Sequence, residues 1–318
     1  MDSILLTQMH LENVVAVNHS VDNMGKSDYY IHNCSFTLLE GKNCLEHMNR
    51  LVTSNINNLK DLESKNTLMC NANGRIIDTL EIISIGEQLL LIGNSEMAND
   101  TRDIIVSGIH WNEEVKVMNG DNILTKLSLI GSKSEIDEFL SAEKVQSKEK
   151  QWLVFDDFYL KRTNHGKDSK IDLIMKNDQI ENFIEGKIGL NNKKLSKNEW
   201  DEIRILYQIL SYNEYKHDLL PSEIGLDHLV DLKKGCYPGQ EIHARMESRG
   251  KLKKKIMKFN SDSDILSGKF LTDNKKKINI TTSIGKSGFF LINNIGEEKL
   301  IIDNVTLEIN ELKSIKIS

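Results

Sequence analysis

Leu220-Pro221-Ser222-Glu223-Ile224-Gly225-Leu226-Asp227, followed by Lys233-Lys234-Gly235-Cys236-Tyr237-Pro238-Gly239-Gln240-Glu241 and then by Ala244-Arg245 and Arg249-Gly250, is the stretch on which the reading of this chain turns. It holds both prolines of the 318 residues, Pro221 and Pro238. Gly235 and Gly239 flank Cys236 with backbone freedom that other residues lack, which predicts a tight loop with the thiol at its tip. Lys233, Lys234, Arg245 and Arg249 would surround that thiol with positive charge and so favour the thiolate. The residues alone leave two outcomes open, an exposed reactive thiol and a small buried apolar one. Gln240 and Glu241 either fix the loop by hydrogen bonds or bind a ligand.

Upstream of this stretch, Trp200, Ile203, Tyr207 and Leu210 recur at helical spacing, which predicts a helix from about Asn198. Trp200 and Arg204 lie one turn apart on one side of it. They suit either an aromatic wall with a cation at the mouth of a slot, or a core anchor with a surface ion pair. Asn73-Gly74 between apolar runs is a strong hairpin signal and places Asp78 on the returning strand. There Asp78 is a candidate proton acceptor or ligand contact, or a strand carboxylate facing water. Ser132 and Glu135 have the spacing of a capping box ahead of Ile136, Phe139 and Leu140. Strands are expected at 36–39, 67–71, 75–84, 88–93, 115–118, 123–130, 152–155 and 171–175. From Lys255 onward, short β-like runs between Gly, Asn and Asp predict a small all-β tail. The whole reads as α+β, with strands and helices alternating irregularly.

Forty-one Lys+Arg stand against 47 Asp+Glu, a net charge of -6, so the chain lacks the basic footprint of a dedicated nucleic-acid binder. The apolar runs 88–92 and 300–302 fall far short of the ~20 residues that span a bilayer, and the residues after Met1 do not resemble a signal peptide. A cytoplasmic protein is expected. Cys34, Cys44, Cys70 and Cys236 stand far apart, a pattern that predicts free thiols rather than a disulfide framework or a zinc ribbon. The nine histidines form no HxxxH pair, and no metal site is expected.

The motif LP-x-E-x-GLD with KGCY-x-GQE-x-x-AR and RG resembles the glycine-cleavage T-protein (aminomethyltransferase) superfamily, and within it the YgfZ branch. Leu39 to Ile56, with Thr53 in a threonine position, and Trp200 with Arg204-Ile205 extend the likeness over most of the chain. The resemblance implies a cloverleaf of ferredoxin-like α/β folate-binding units over residues 1–250, in two α+β subdomains, capped by a C-terminal β-barrel domain over 251–318. It implies tetrahydrofolate or a one-carbon derivative as cofactor, iron–sulfur assembly proteins or client enzymes as partners, and Cys236 as the distinguishing residue. Asp78 stands beside Cys236 as a catalytic candidate, and Trp200, Arg204, Lys234, Tyr237, Gln240, Glu241 and Arg245 as candidate cofactor contacts. T-proteins carry an acidic pair after a Gly-Gly turn, where this chain has Asp78-Thr79, and a GYTGEDG-like loop whose nearest counterpart, residues 164–168, is poor. These departures favour an accessory protein over a turnover enzyme, and leave a tetrahydrofolate-dependent aminomethyl or other one-carbon transferase as the alternative.

Overall fold

The computed structural model describes residues 27–143, 145, 151–155, 157–188, 192–249, 252, 254–293, 299–312 and 315–317. In chain order its elements are β1 (Asp28–Ile31), β2 (Cys34–Glu40), α1 (Cys44–Leu51), β3 (Ser64–Cys70), β4 (Ile76–Ile85), β5 (Gln88–Asn94), α2 (Ala98–Ser107), β6 (Lys116–Asn119), β7 (Leu124–Ser132), α3 (Lys133–Ala142), β8 (Trp152–Phe155), β9 (Phe158–His165), β10 (Asp168–Lys176) and α4 (Ile180–Phe183). They continue with α5 (Lys197–Tyr207), β11 (Ile209–Leu210), α6 (Tyr212–Tyr215), α7 (Gln240–Arg249), β12 (Lys254–Ser261), β13 (Gly268–Leu271), β14 (Lys277–Ile284), β15 (Ser287–Asn293), β16 (Lys299–Ile302), β17 (Val305–Asn310) and β18 (Lys316–Ile317). The mixed α/β class follows the sequence pattern. No described helix is long and apolar enough to cross a membrane.

Two units share the chain. Among the described residues the first comprises those of 27–48, 56–65 and 80–196, and the second those of 49–55, 66–79 and 197–317. In the first, an antiparallel sheet runs β1-β7-β10-β9-β8. Alternation along its strands separates two faces. Leu127, Leu129, Ile171 and Leu173 pack with Ile136, Phe139 and Leu140 of α3. That helix starts at the expected capping box, in which the Ser132 hydroxyl accepts from Glu135 N at 3.3 Å and the Glu135 carboxylate accepts from Ser132 N at 2.7 Å. The opposite face carries Lys126, Ser128, Lys161 and Asp172, all buried. A second sheet runs β3-β4-β5-β2-β6, and the chain leaves the first unit along β3 and returns along β4.

The second unit contains a six-stranded antiparallel half-barrel, ordered β13-β14-β15-β12-β17-β16. One face buries Met257, Phe259, Ile278, Ile280, Phe290 and Ile292 against each other. From the other face, Ile256, Phe289 and Leu291 join a core with Ile205 of α5, Tyr215 of α6 and Ile224. The Asn73-Gly74 turn also belongs here. Asn71 Oδ1 accepts from Asn73 N at 2.9 Å and Arg75 N at 3.0 Å, and Gly74 has φ +71°.

Candidate functional site

In the second unit the motif builds a loop held at several points. Pro221 starts a short 3-10 turn whose Glu223 carboxylate, nearly buried, accepts from Leu220 N at 2.9 Å and from the Arg75 guanidinium at 2.9 Å. Gly225 ends that turn in the left-handed region at φ +71°. Thr53 Oγ1 then donates to Leu229 O at 2.7 Å, and Asp231 N donates to Thr53 O at 2.9 Å. Asp231 Oδ1 accepts from Lys233 N at 2.8 Å and Lys234 N at 3.2 Å, turning the chain toward the cysteine.

Lys234 does not flank the thiol as a free cation. Its ammonium is directed inward, donating to the carbonyls of Asn49 at 2.5 Å, Val52 at 2.6 Å and Ser54 at 2.9 Å, and lies 5.2 Å from the centre of the Tyr237 ring. Backbone carbonyls at the end of α1 lack helical partners, so a lysine side chain satisfies them. Burial lowers this ammonium to about 8, with Asp231 opposing the shift. On the other shoulder of the loop, Gln240 Nε2 donates to Leu232 O and Lys234 O, both at 3.3 Å. Gly239 has φ +84°, and a Cβ there would lie 2.4 Å from Gly74 Cα, so only glycine lets the loop approach the hairpin. Gly235, expected to share that role, has no positive φ and open space around it.

Cys236 is exposed at the tip. The other thiols are less accessible: burial raises Cys34 to about 12, Cys44 to about 11 and Cys70 to about 12. Tyr237 is buried, with its hydroxyl 3.5 Å from His243 Nδ1, while His243 Nε2 meets Gly74 O at 2.8 Å. Glu241 and Arg245 pair with each other at 2.5 Å on the exposed side of α7, so Arg245 also serves a local ion pair. The side chain of Arg249, and Gly250, lie outside the described residues.

Trp200 and Arg204 stand together on α5, both buried. Arg204 does not reach a slot mouth as an open cation. Its guanidinium donates to Asp201 Oδ1 at 2.8 and 2.7 Å, to Ile209 O at 2.9 Å and to Glu214 Oε2 at 3.1 Å. Glu214, fully buried, also accepts from Ser211 N at 2.8 Å and from the Thr281 and Thr282 hydroxyls. The two acids hold Arg204 above its usual range despite burial. Asp78 is fully buried, with Oδ1 accepting from Thr79 N at 2.8 Å; Thr79 Oγ1 donates to Tyr215 OH at 3.1 Å, next to Glu214. Thr79, next to Asp78, thus ties its strand to α6 through Tyr215, while Lys234, Gly239 and Gln240 fasten the loop that carries Cys236. Asp231 and His243 were missed as fasteners. Asp231 had one local signal, a carboxylate two and three residues ahead of the amides it accepts from.

No protein-family model matches the chain. It is 25% identical over 237 residues to an aminomethyltransferase of Caldanaerobacter subterraneus subsp. tengcongensis, a match covering 70% of this chain and 62% of that protein. An aminomethyltransferase of Thermoanaerobacter pseudethanolicus is 23% identical over 272 residues, covering 79% and 71%. The glycine cleavage system aminomethyltransferase T of Bartonella henselae superimposes with a TM-score of 0.79 at 13% identity, covering 90% of this chain and 86% of that one. The chain has the aminomethyltransferase fold. The shared architecture extends over both units, whereas the sequence likeness to the first of these relatives spans less than two thirds of its length.

Proposed function

We propose that this chain is a folate-binding protein, built as a cloverleaf of folate-binding units, that supports the maturation or repair of iron–sulfur enzymes through Cys236. The observation that carries the cysteine reading is an exposed thiol on a loop fastened on both shoulders, by Lys234 on one side and by Gln240 and Gly239 on the other. A thiol presented this way meets a soft metal or an electrophile without first opening the fold. Iron, or a cluster carried by an assembly protein or client enzyme, is the cargo in this reading.

Folate is supported by the likeness to aminomethyltransferases and by the donor chemistry present. A pterin presents N–H groups along one edge, and the buried carboxylate of Asp78 is an acceptor of the required kind. Arg204 positions α5 and α6 in this reading rather than touching the cofactor. Tetrahydrofolate-dependent aminomethyl transfer is the second reading, favoured by the names of the relatives.

The test pairs calorimetry with labelling. Tetrahydrofolate is expected to bind, Asp78→Asn to weaken it, and Cys236 to be alkylated faster than Cys34, Cys44 and Cys70. Cys236→Ser is expected to bind folate normally and to fail in restoring iron–sulfur enzyme activity to cells lacking the protein. Absence of binding by folded protein removes the folate reading; restoration by the Ser variant removes the cysteine reading; turnover of an aminomethyl donor selects the transferase.

A further inference from the structure

The half-barrel of the second unit has one face that is covered only in part. Ile256, Phe289 and Leu291 on that face meet the helical core, and the same face then continues outward over a cavity of about 850 Å³. Strand register lays out its floor. One row runs Lys269, Asn279, Leu291, from β13 through β14 to β15. The next row pairs Leu271 with Lys277, and Asn293 with Lys254. Because side chains alternate along a strand, these residues share one face, opposite the apolar core of the half-barrel.

The charge of this cleft opposes that of the chain. Lys254, Lys269 and Lys277 line it with Asp303 as the single acid of the lining, on a chain whose net charge is -6. Among the described residues none of the three lysines takes an ion pair. Lysines elsewhere on the same half-barrel do: Lys255 pairs with Glu311 at 2.5 Å and Lys299 with Glu308 at 3.6 Å. Lys269 and Lys254 are separated by three strand spacings, roughly 14 Å. That spread suits several anionic groups in line rather than one small ion.

The cleft also offers more than charge. Leu271 is 59% exposed at the cleft and Leu291 adds apolar floor, so the lysines adjoin an apolar surface. Asn279 Nδ2 lies 3.3 Å from His217 Nε2 at the rim, and Asn293 stands beside Lys254 in the register, so amide donors and acceptors adjoin the apolar patch. Lysines supply point charges for phosphate oxygens, amides read the edges of a heterocycle, and the leucines accept its face.

We infer that this cleft binds a small phosphate-bearing organic molecule of the size of a nucleoside di- or triphosphate, with its phosphates on Lys254, Lys269 and Lys277 and its ring on Leu271. The site lies within the half-barrel and is independent of Cys236 and Asp78.

Titration of the full chain with ATP and with inorganic tripolyphosphate tests this. ATP is expected to bind with an affinity that falls as salt rises, and more tightly than tripolyphosphate. Lys277→Ala and Lys254→Ala are each expected to weaken ATP about tenfold, and Leu271→Asp more, with unchanged melting temperatures. Lys299→Ala, which removes a paired lysine outside the cleft, is expected to leave binding unaltered. Equal binding of ATP and tripolyphosphate overturns the organic part of the claim. No binding of either probe by folded protein, or equal loss from Lys299→Ala, overturns the site.

Discussion

Each unit buries an ionic network, and the two are built in opposite ways. In the second unit one guanidinium is shared by Asp201 and Glu214, all within a short span of chain; Ile209 O accepts a further guanidinium hydrogen, and the Ser211, Thr281 and Thr282 hydroxyls donate to the Glu214 carboxylate. In the first unit the network crosses strands: Lys161 of β9 meets Glu81 of β4, to which Ser64 and the Trp152 indole also donate, while Lys170 pairs at 2.8 Å with Asp172 two positions further along β10. The guanidinium offers fixed, directional donors, so its partners are specified by geometry and by local sequence. The lysine network depends on strand register, since a one-residue slip would turn every one of these charges to the other face.

The largest effect that would test this contrast is Arg204→Ala. Two carboxylates would be left buried without their cation, and a loss of about 3–5 kcal/mol is expected in urea unfolding. A loss below about 1 kcal/mol would show that the hydroxyls suffice and that the hub is not organised by the guanidinium. Acid titration probes the other network at about 3 kcal/mol. Burial would raise Glu81, but Lys161 and Lys126 outweigh it and bring the folded value to about 2 from 4.5. The unfolded chain therefore takes up this proton first. The contribution is fully present above pH 4.5 and is lost as pH falls through about 2. Stability measured across that window is expected to flatten in Glu81→Gln; an unchanged slope would separate acid sensitivity from this pair.

Lys234→Ala is expected to cost about 1.5–3 kcal/mol by leaving three carbonyls without their charged donor, and to broaden the loop resonances of residues 232–240 in NMR spectra. Unchanged loop order would show that Gln240 and Gly239 alone hold it. The smallest effect belongs to Cys236→Ser, which is expected to move stability by no more than about 0.5 kcal/mol, because the residue is exposed. A marked destabilisation would return Cys236 to the status of a packing residue.

The two networks also mark where the sequence was legible. The hairpin at Asn73-Gly74, the capping box at Ser132 and the helix over Trp200 and Arg204 could be read because turn chemistry and helical spacing are local. So was the loop position of Cys236, although two of its four expected cations are engaged elsewhere, Lys234 with carbonyls and Arg245 with Glu241. Strand β9 was missed. Its run Lys161, Arg162, Thr163 and Asn164 carries no apolar alternation to mark a strand, yet Lys161 is buried beside Glu81 from a strand eighty positions earlier. Arg204 was legible as a helix residue but not as a hub, because alternation of polar and apolar residues does not register a second buried layer.

The fastening of Lys234 to Asn49, 185 positions earlier, bears on how the chain is made. Residues 49–55 and 66–79 leave the ribosome long before 197–318, with which they form one unit. During synthesis they wait without their partners, while the sheet formed by β7, β8, β9 and β10 can assemble from sequence that emerges together. Release truncated ahead of residue 197 would leave the early hairpin permanently stranded, with Leu68, Cys70 and Ile76 open to solvent and to chaperones.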